Sequence, residues 1–181
     1  MIVFKAFSPG MVCGGYHYKP GESNYEAEAN CAQNGIHAAE NPADCLSYYD
    51  WDGKNEFWKC IATGDIDEDT VDSKIATTEL IPEYRLSLTE YIAECAWYIL
   101  QHPTRIKERS RGMIKICRDT GRQTEDCKVL LVVGENPKAE VTQKENMIVL
   151  VDTAKGTMRA GRGLAPGWYH IGKDGAEEWT D

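Results

Sequence analysis

Histidine is the residue type in this sequence best suited to acid–base chemistry near neutral pH. His37 follows Gly35 closely, so a turn at the glycine would deliver a short strand with the histidine near its end. The imidazole titrates near neutral pH, which suits general acid–base catalysis or the binding of an anionic ligand. His17 lies in an earlier predicted strand and could join His37 only if the two strands are neighbours. We take both as candidate catalytic residues, with a structural histidine at a strand end as the alternative for His37.

The cysteines show no metal-binding pattern. Seven cysteines are present and no Cys-x-x-Cys spacing occurs, so we expect no structural zinc site. The acidic run Gly64–Asp69 lacks the ligand spacing and the closing glutamate of an EF-hand, and we interpret it as a solvated turn rather than a calcium site. We therefore expect neither a metal nor a cofactor. No signal peptide and no bilayer-length apolar run is evident, which favours reduced thiols and a cytoplasmic protein.

Positive charge is concentrated between residues 105 and 122. This segment holds seven basic residues, among them Arg105, Arg109 and Arg111. Such a cluster could contact phosphate, nucleic acid or an acidic partner, or it could be the solvated face of a helix. The chain as a whole carries a formal net charge of −9 at pH 7. Because general nucleic-acid binding needs a basic surface, we expect a nucleic-acid contact only through this segment.

Local signals place several elements along the chain. Ile2–Phe7 alternates like a strand, and Asn41 followed by Pro42 starts a short capped helix. Ser87 and Glu90 are the ends of a capping box, the strongest helix start in the sequence. After this capping box, apolar residues recur at helical spacing, and the predicted helix ends at Pro103.

Later signals complete a predicted architecture. Residues 105–122 carry a thin apolar stripe and are predicted as a second helix, while 128–133 and 146–151 are β-branched and predicted as strands. A terminal hairpin turns at Asp174-Gly175, with Trp168 and Trp179 positioned to pair across it.

Together these signals predict an α+β fold. A mixed or antiparallel sheet with a short capped helix would form residues 1–85, two helices would form residues 86–127, and a small antiparallel β sheet would form residues 128–181. The length of 181 residues suits one domain of ordinary size or one domain with a small appendage.

The N-terminal part resembles an uncharacterised domain family common in phages and prophages, over about residues 1–80. The resemblance rests on short motifs listed here in chain order: Phe4-Lys5-Ala6-Phe7, Tyr16-His17-Tyr18-Lys19-Pro20-Gly21, Asn34-Gly35-Ile36-His37-Ala38, Asn41-Pro42, Tyr48-Tyr49, Gly64-Asp65-Ile66 and Asp72-Ser73-Lys74-Ile75-Ala76. The closing segment Gly167-Trp168-Tyr169 with Asp174-Gly175 is similar to the end of family members. The family has no assigned activity, so the resemblance implies a mobile-element origin and little chemistry.

A second resemblance is to the poly-ADP-ribose polymerases. Gly35-Ile36-His37-Ala38-Ala39, followed by a capped helix that ends in Tyr48-Tyr49, is similar to the stretch that lines the NAD pocket of those enzymes. The resemblance implies a split sheet over residues 1–85, with NAD as cofactor and a catalytic glutamate at Glu79 or Glu83. In this sequence His37 stands where those enzymes have tyrosine.

The resemblances and the basic segment complete our candidate site and leave three hypotheses open. The candidate binding residues are Lys5, Tyr16, Tyr18, Tyr48, Tyr49, Arg105, Arg109 and Arg111. The leading hypothesis is a non-catalytic phage or prophage accessory protein that binds a host or defence protein in the host cytoplasm. One alternative is an NAD-dependent enzyme of ADP-ribosyltransferase type that uses His37, His17 and Glu79 or Glu83. The other alternative is a nucleic-acid contact through residues 105–122.

Overall fold

The chain folds mainly into β-structure. A computed structural model describes residues 1–31, 33–69, 72–172 and 176–179, the last range by its backbone. Over the described chain 51% of residues are in strands and 14% are helical, with one helix of seven residues or more. Contacts divide the chain into two compact units, Met1–Cys95 (unit 1) and Ala96–Asp181 (unit 2).

Unit 1 is built on a barrel-like sheet. Its strands, in chain order, are β1 (Ile2–Phe7), β2 (Val12–Cys13), β3 (Tyr16–His17), β4 (Asn24–Tyr25), β5 (Ile36–Ala39), β6 (Glu56–Glu68) and β7 (Lys74–Arg85). β1 pairs with β5 and β6, and β7 pairs with the same two strands, so four antiparallel strands close a ring. β4 extends β7, and β2 with β3 forms a separate hairpin. The ring encloses a core of small and branched side chains: Val3, Ile36, Ala38, Cys60, Ala62, Ile75 and Leu80.

The ring is incomplete on one side. β1 pairs with β6 through every residue from Ile2 to Phe7, whereas β1 and β5 pair at one position, Phe4 opposite Ala39. The prediction of a strand at Ile2–Phe7 is therefore confirmed. What the sequence did not indicate is the gap that opens between β1 and β5 beyond this pair.

Both predicted helix starts are confirmed. Asn41 accepts the N–H of Ala43 at 3.0 Å and begins a short 3₁₀ helix, Pro42–Ser47. The capping box begins helix α1 (Leu88–Gln101): the Ser87 N–H donates to Glu90 Oε2 at 2.8 Å, and the Glu90 N–H donates to Ser87 Oγ at 3.4 Å. Both starts depend on contacts within three residues, which is why sequence patterns locate them.

Unit 2 contains a mixed sheet. Its strands are β8 (Arg109–Arg111), β9 (Ile114–Arg122), β10 (Val129–Val141), β11 (Met147–Asp152), β12 (Thr157–Arg162), β13 (Gly167–Ile171) and β14 (Ala176–Trp179). β10 is central and runs parallel to both β9 and β11, while its second half pairs antiparallel with β13. β8 pairs with β9, β12 with β11, and β14 with β13, all antiparallel.

The predicted α+β fold with a two-helix middle is wrong. Residues 105–122 do not form a second helix. A 3₁₀ turn at Pro103–Arg105 leads into them, and β8 and β9 lie within them. Ile114 and Ile116 are two residues apart and pair with Val129 and Leu131 of β10, so the strand period buries both isoleucines. Tertiary pairing decided the structure of a segment whose apolar stripe is too thin to specify a helix.

The prediction of a purely antiparallel C-terminal sheet is also wrong, because β10 runs parallel to both β9 and β11. Val129–Val133 is buried along its whole length, which is the pattern of a parallel strand covered on both faces. The predicted strands at 128–133 and 146–151 are present as the start of β10 and as β11.

Two strands of unit 1 run through residues of types that usually end strands. β6 continues through Gly64 to Glu68, where an acidic loop was expected, and β7 continues past Pro82 to Arg85. Pro82 sits opposite Cys60 at a register shift, and a bulge of this kind tolerates the missing N–H of proline. Strand pairing therefore overrode both local breaking signals.

The terminal hairpin is present. β13 and β14 pair with Trp168 opposite Trp179, as predicted. The predicted turn at Asp174-Gly175 lies outside the described residues. In the described ranges, no helix is long and apolar enough to cross a membrane.

A buried glutamine joins three segments of unit 2. Gln123 is 2% exposed, and its amide nitrogen donates to the carbonyls of Cys127 and Glu145 at 2.9 and 3.1 Å. Its amide oxygen accepts the N–H groups of Thr142 and Gln143 at 3.1 and 3.2 Å.

We expect Gln123→Ala to lower the free energy of unfolding by about 3 kcal/mol, because it leaves buried backbone groups without partners. Gln143→Ala is the matched control: its side chain bonds two carbonyls at the exposed surface, and a change below about 1 kcal/mol is expected. Urea unfolding of both variants measures the difference. Equal losses would show that the buried amide has no special role.

Candidate functional site

A cavity of about 460 Å³ opens where β1 and β5 separate. Its walls come from β1, from β2 and β5, from the 3₁₀ helix with the two tyrosines after it, and from the start of β7. Phe4, Ala6 and Ala39 give it an apolar surface, and a few polar side chains interrupt that surface. An apolar concavity with a few placed polar groups is the usual form of a ligand site.

Lys5 bridges the gap in the ring. Its side chain is buried, and its ammonium donates to the carbonyl oxygen of His37 in β5 at 2.6 Å. The same ammonium lies over two aromatic rings, 5.5 Å from the centroid of Phe7 and 5.3 Å from that of Tyr18. Where β1 and β5 no longer pair, the Lys5 side chain thus links the two strands by one charged hydrogen bond, and two cation–π contacts surround its ammonium.

His37 is held in its neutral form at pH 7. Burial lowers the pKa of its imidazole below the usual 6.5, and the positive charges of Lys5 and Lys74 lower it further. Lys5 and Lys74 are both cationic, and a nearby positive charge disfavours the protonated imidazolium. A neutral imidazole can donate at one ring nitrogen and accept at the other.

A buried polar network fixes the wall opposite β1. Ser73 Oγ donates to Asp44 Oδ2 at 2.7 Å, and Ser73 Oγ accepts the N–H of Asn41 at 2.9 Å. From α1, the Tyr91 hydroxyl donates to the carbonyl of Pro42 at 2.7 Å. Asp44 therefore acts here as a tie between the 3₁₀ helix and the start of β7.

The second lysine of the cavity is engaged by carboxylates. Lys74 Nζ lies 3.4 Å from Asp69 Oδ2, and the Lys74 N–H donates to Asp72 Oδ1 at 2.8 Å. Lys5, in contrast, makes no ion pair with any carboxylate in the described part of the chain.

Tyrosine and cysteine side chains line the mouth of the cavity. The Tyr49 hydroxyl donates to Cys13 Sγ at 3.4 Å, while burial first and this thiol second raise the pKa of Tyr49. Cys45 is buried, and Tyr48 is 60% exposed at the same cavity. An exposed aromatic ring beside an opening is available to a ligand or to a partner protein.

The comparison with protein families places this cavity in a defined domain. A family model described as "Domain of unknown function (DUF7666)" matches residues 1–94, just over half of the chain. The chain belongs to the DUF7666 family. The matched DUF7666 domain contains the whole barrel-like sheet and every residue that lines the cavity. No curated protein and no solved structure matches the chain.

The DUF7666 domain brings together some of the residues selected from the sequence. His37, Lys5, Tyr48 and Tyr49 all line the cavity. Tyr18 lies behind Lys5 rather than in the lining, with its ring 5.0 Å from that of Phe7.

The β2–β3 hairpin places the remaining candidates elsewhere. Tyr16 packs edge-on against Tyr18 at 4.8 Å and is 45% exposed. His17 stands opposite Val12 in the hairpin, exposed to solvent and outside the cavity lining.

Glu79 is also outside the cavity. It lies in β7, where its carboxylate accepts the hydroxyls of Ser23 and Thr63 at 2.6 and 2.7 Å. These two bonds hold the pKa of Glu79 below its usual value. Neither Glu79 nor Glu83 lines the cavity that contains His37.

The three arginines belong to unit 2. Arg105 Nη1 donates to the Tyr98 hydroxyl at 3.2 Å, and Arg109 and Arg111 form the two ends of β8. Neighbouring basic groups of the same segment contact carboxylates: Arg122 Nε lies 3.2 Å from Glu140. The charge of the basic segment is thus partly offset within its own sheet.

Sequence reasoning missed the contribution of β7. Lys74 lines the cavity and Ser73 bonds the lining residue Asp44, although they lie 37 and 36 residues after His37 in the chain. The available signal was the family motif Asp72-Ser73-Lys74, which the resemblance contained and to which no role was given. The described residues contain no cluster of three or more His, Cys, Asp or Glu side chains that could hold a metal ion.

We expect the pKa of His37 to be below 6.5 in an NMR titration of its imidazole resonances, and to rise in Lys5→Met because one nearby positive charge is removed. Burial persists in the variant, so the rise is partial. The matched control is Lys59→Met, which removes a lysine that is paired with Glu94 and lies outside the cavity. An unchanged pKa in Lys5→Met would contradict the proximity of the two charges.

Protonation of His37 also affects the free energy of unfolding. A folded-state pKa below the unfolded value means that the unfolded chain binds more protons as pH falls through 6.5. This histidine therefore lowers the free energy of unfolding on acidification, and Lys5→Met should reduce that pH dependence.

Proposed function

We propose that the DUF7666 domain is a non-catalytic binding module whose cavity receives a small ligand or a group inserted by a partner protein. The cavity carries the proposal, because it combines about 460 Å³ of space with an apolar lining and few polar side chains. Those side chains are held in place by internal bonds, Lys5 by a carbonyl and Asp44 by Ser73. A lining fixed in this way is pre-organised for binding.

The wider setting we propose is a phage or prophage accessory protein that binds a host or defence protein in the bacterial cytoplasm. The sequence resemblance of the N-terminal part supports this setting. So does the exposed ring of Tyr48, because exposed tyrosines are enriched at protein interfaces. A chain end or side chain of the partner would enter between β1 and β5.

The geometry gives less support to an NAD-dependent enzyme of ADP-ribosyltransferase type. That function would require His37 and Glu79 to act on one substrate, and Glu79 is held by Ser23 and Thr63 outside the cavity lining. The binding module is therefore the function we put forward.

Two partly exposed cysteines allow the cavity to be blocked selectively. Cys13 lines the cavity and Cys31 does not, and the other five cysteines are buried. N-ethylmaleimide added to Cys31→Ser would label Cys13, and the same reagent added to Cys13→Ser would label Cys31.

We expect small fragments that bind the unlabelled full chain, detected by ligand-observed NMR, to lose binding when Cys13 is labelled, because the adduct occupies the cavity. Binding should persist when Cys31 is labelled. A protein partner captured from bacterial lysate should show the same dependence on the Cys13 label. Fragment binding that survives the Cys13 label, or a screen without any binder, would refute the proposal.

A further inference from the structure

Lys5 has an unusual environment for a buried charge. Its side chain is 6% exposed, and its polar contacts are one carbonyl oxygen and two ring faces. An ammonium has three N–H donors, and the carbonyl of His37 uses one of them. A buried charge is costly unless it is paired with an opposite charge. Lys5 therefore has both the capacity and the energetic reason to bind an anion.

Two other lysines of the barrel show what a paired lysine looks like in this domain. Lys59 Nζ, on the adjacent strand β6, lies 2.6 Å from Glu94 Oε1. Lys74 Nζ lies 3.4 Å from Asp69 Oδ2. Both are more exposed than Lys5, yet each has a carboxylate partner. Among the described residues Lys5 has none, which is a local property of the cavity.

The two aspartates of the cavity accept hydrogen bonds from groups other than Lys5. Asp44 accepts both the hydroxyl and the N–H of Ser73, at 2.7 and 3.3 Å, and Asp72 accepts the N–H of Lys74. Burial lowers the pKa of His37 most, and the positive charges of Lys5 and Lys74 lower it further. The two lysines therefore place positive charge close to His37 on this side of the cavity.

We infer that the ligand of the cavity has a carboxylate or phosphate group attached to an apolar or aromatic body, and that the anionic group binds the ammonium of Lys5. The apolar body would contact Phe4, Ala6 and Ala39. This inference rests on the proposed binding function and adds the chemical class of the ligand. The anionic group could belong to a free small molecule or to the end of a partner polypeptide.

A matched set of probes tests the charge requirement on the unmodified full chain. Benzoate and phenyl phosphate carry the anion on an aromatic ring, and benzamide is the neutral counterpart of benzoate. We expect the anions to bind about tenfold more tightly than benzamide, as a charge-assisted bond in a buried site would give. Shifts of the backbone amide resonances of Lys5, His37 and Ala39 in titrations would report the binding. Equal affinity for benzoate and benzamide would refute the inference.

Two lysine variants separate a local contact from a general charge effect. Lys5→Met removes the charge and keeps an unbranched side chain that is one atom shorter. It should lose about tenfold in affinity for benzoate with little change for benzamide. Lys59→Met removes the same charge from the neighbouring strand outside the cavity, and it should bind benzoate as the natural chain does. An equal loss in both variants would refute the role of Lys5. The probe comparison on the natural chain stands even if Lys5→Met fails to fold.

The outcomes separate this inference from the binding function on which it rests. If benzoate and benzamide bind equally and both are displaced by the Cys13 label, the cavity is a binding site and the anionic ligand class is refuted. If the label displaces neither probe, the cavity is not their site and both proposals fail. The peptide acetyl-Gly-Gly-Phe with a free carboxylate identifies the source: binding tighter than benzoate supports a polypeptide end, and weaker binding supports a free small molecule.

Discussion

The hydrogen bond from Lys5 to the carbonyl of His37 is the interaction on which the candidate site depends. It crosses the place where β1 and β5 stop pairing, and it holds the two strands at a separation that leaves a cavity between them. The rings of Phe7 and Tyr18 flank the ammonium, so the charge is sheltered by aromatic faces rather than by water. A fully paired ladder at this position would close the ring and remove the cavity.

The opposite wall depends on a different kind of interaction. Ser73 links the backbone before the 3₁₀ helix to Asp44 within it, so the helix and the start of β7 are joined through buried hydrogen bonds. Tyr91 adds a bond from α1 to Pro42. A buried polar network is stable only when each of its groups has a hydrogen-bond partner. Because these bonds need one arrangement of the side chains, they favour a single geometry of the wall. One wall is thus fixed by buried hydrogen bonds, while the other carries a lysine that no carboxylate of the described residues pairs with.

The errors of sequence reasoning have a common physical origin. Residues 105–122 contain many basic residues and a few apolar ones. Both a helix and a strand can expose the basic side chains and bury the apolar ones, so this pattern does not choose between them. Pairing of Ile114 and Ile116 with a strand that begins at Val129 selected the strand. Proline and glycine usually weaken or end strands, yet Pro82 and Gly64 both lie within long strands because a bulge or a register shift accommodates them.

The sequence by itself determined the short-range features: the strand Ile2–Phe7, the cap at Asn41 and the capping box at Ser87. Each depends on residues within a few positions, so local pattern is sufficient. It also led to Lys5, His37, Tyr48 and Tyr49 as candidates. Only the tertiary structure decided that these four share a cavity, that Lys74 lines it too, and that Ser73 bonds the lining residue Asp44. The physical reason is that strand pairing and burial join residues far apart in the chain, and no local pattern records which strands will meet.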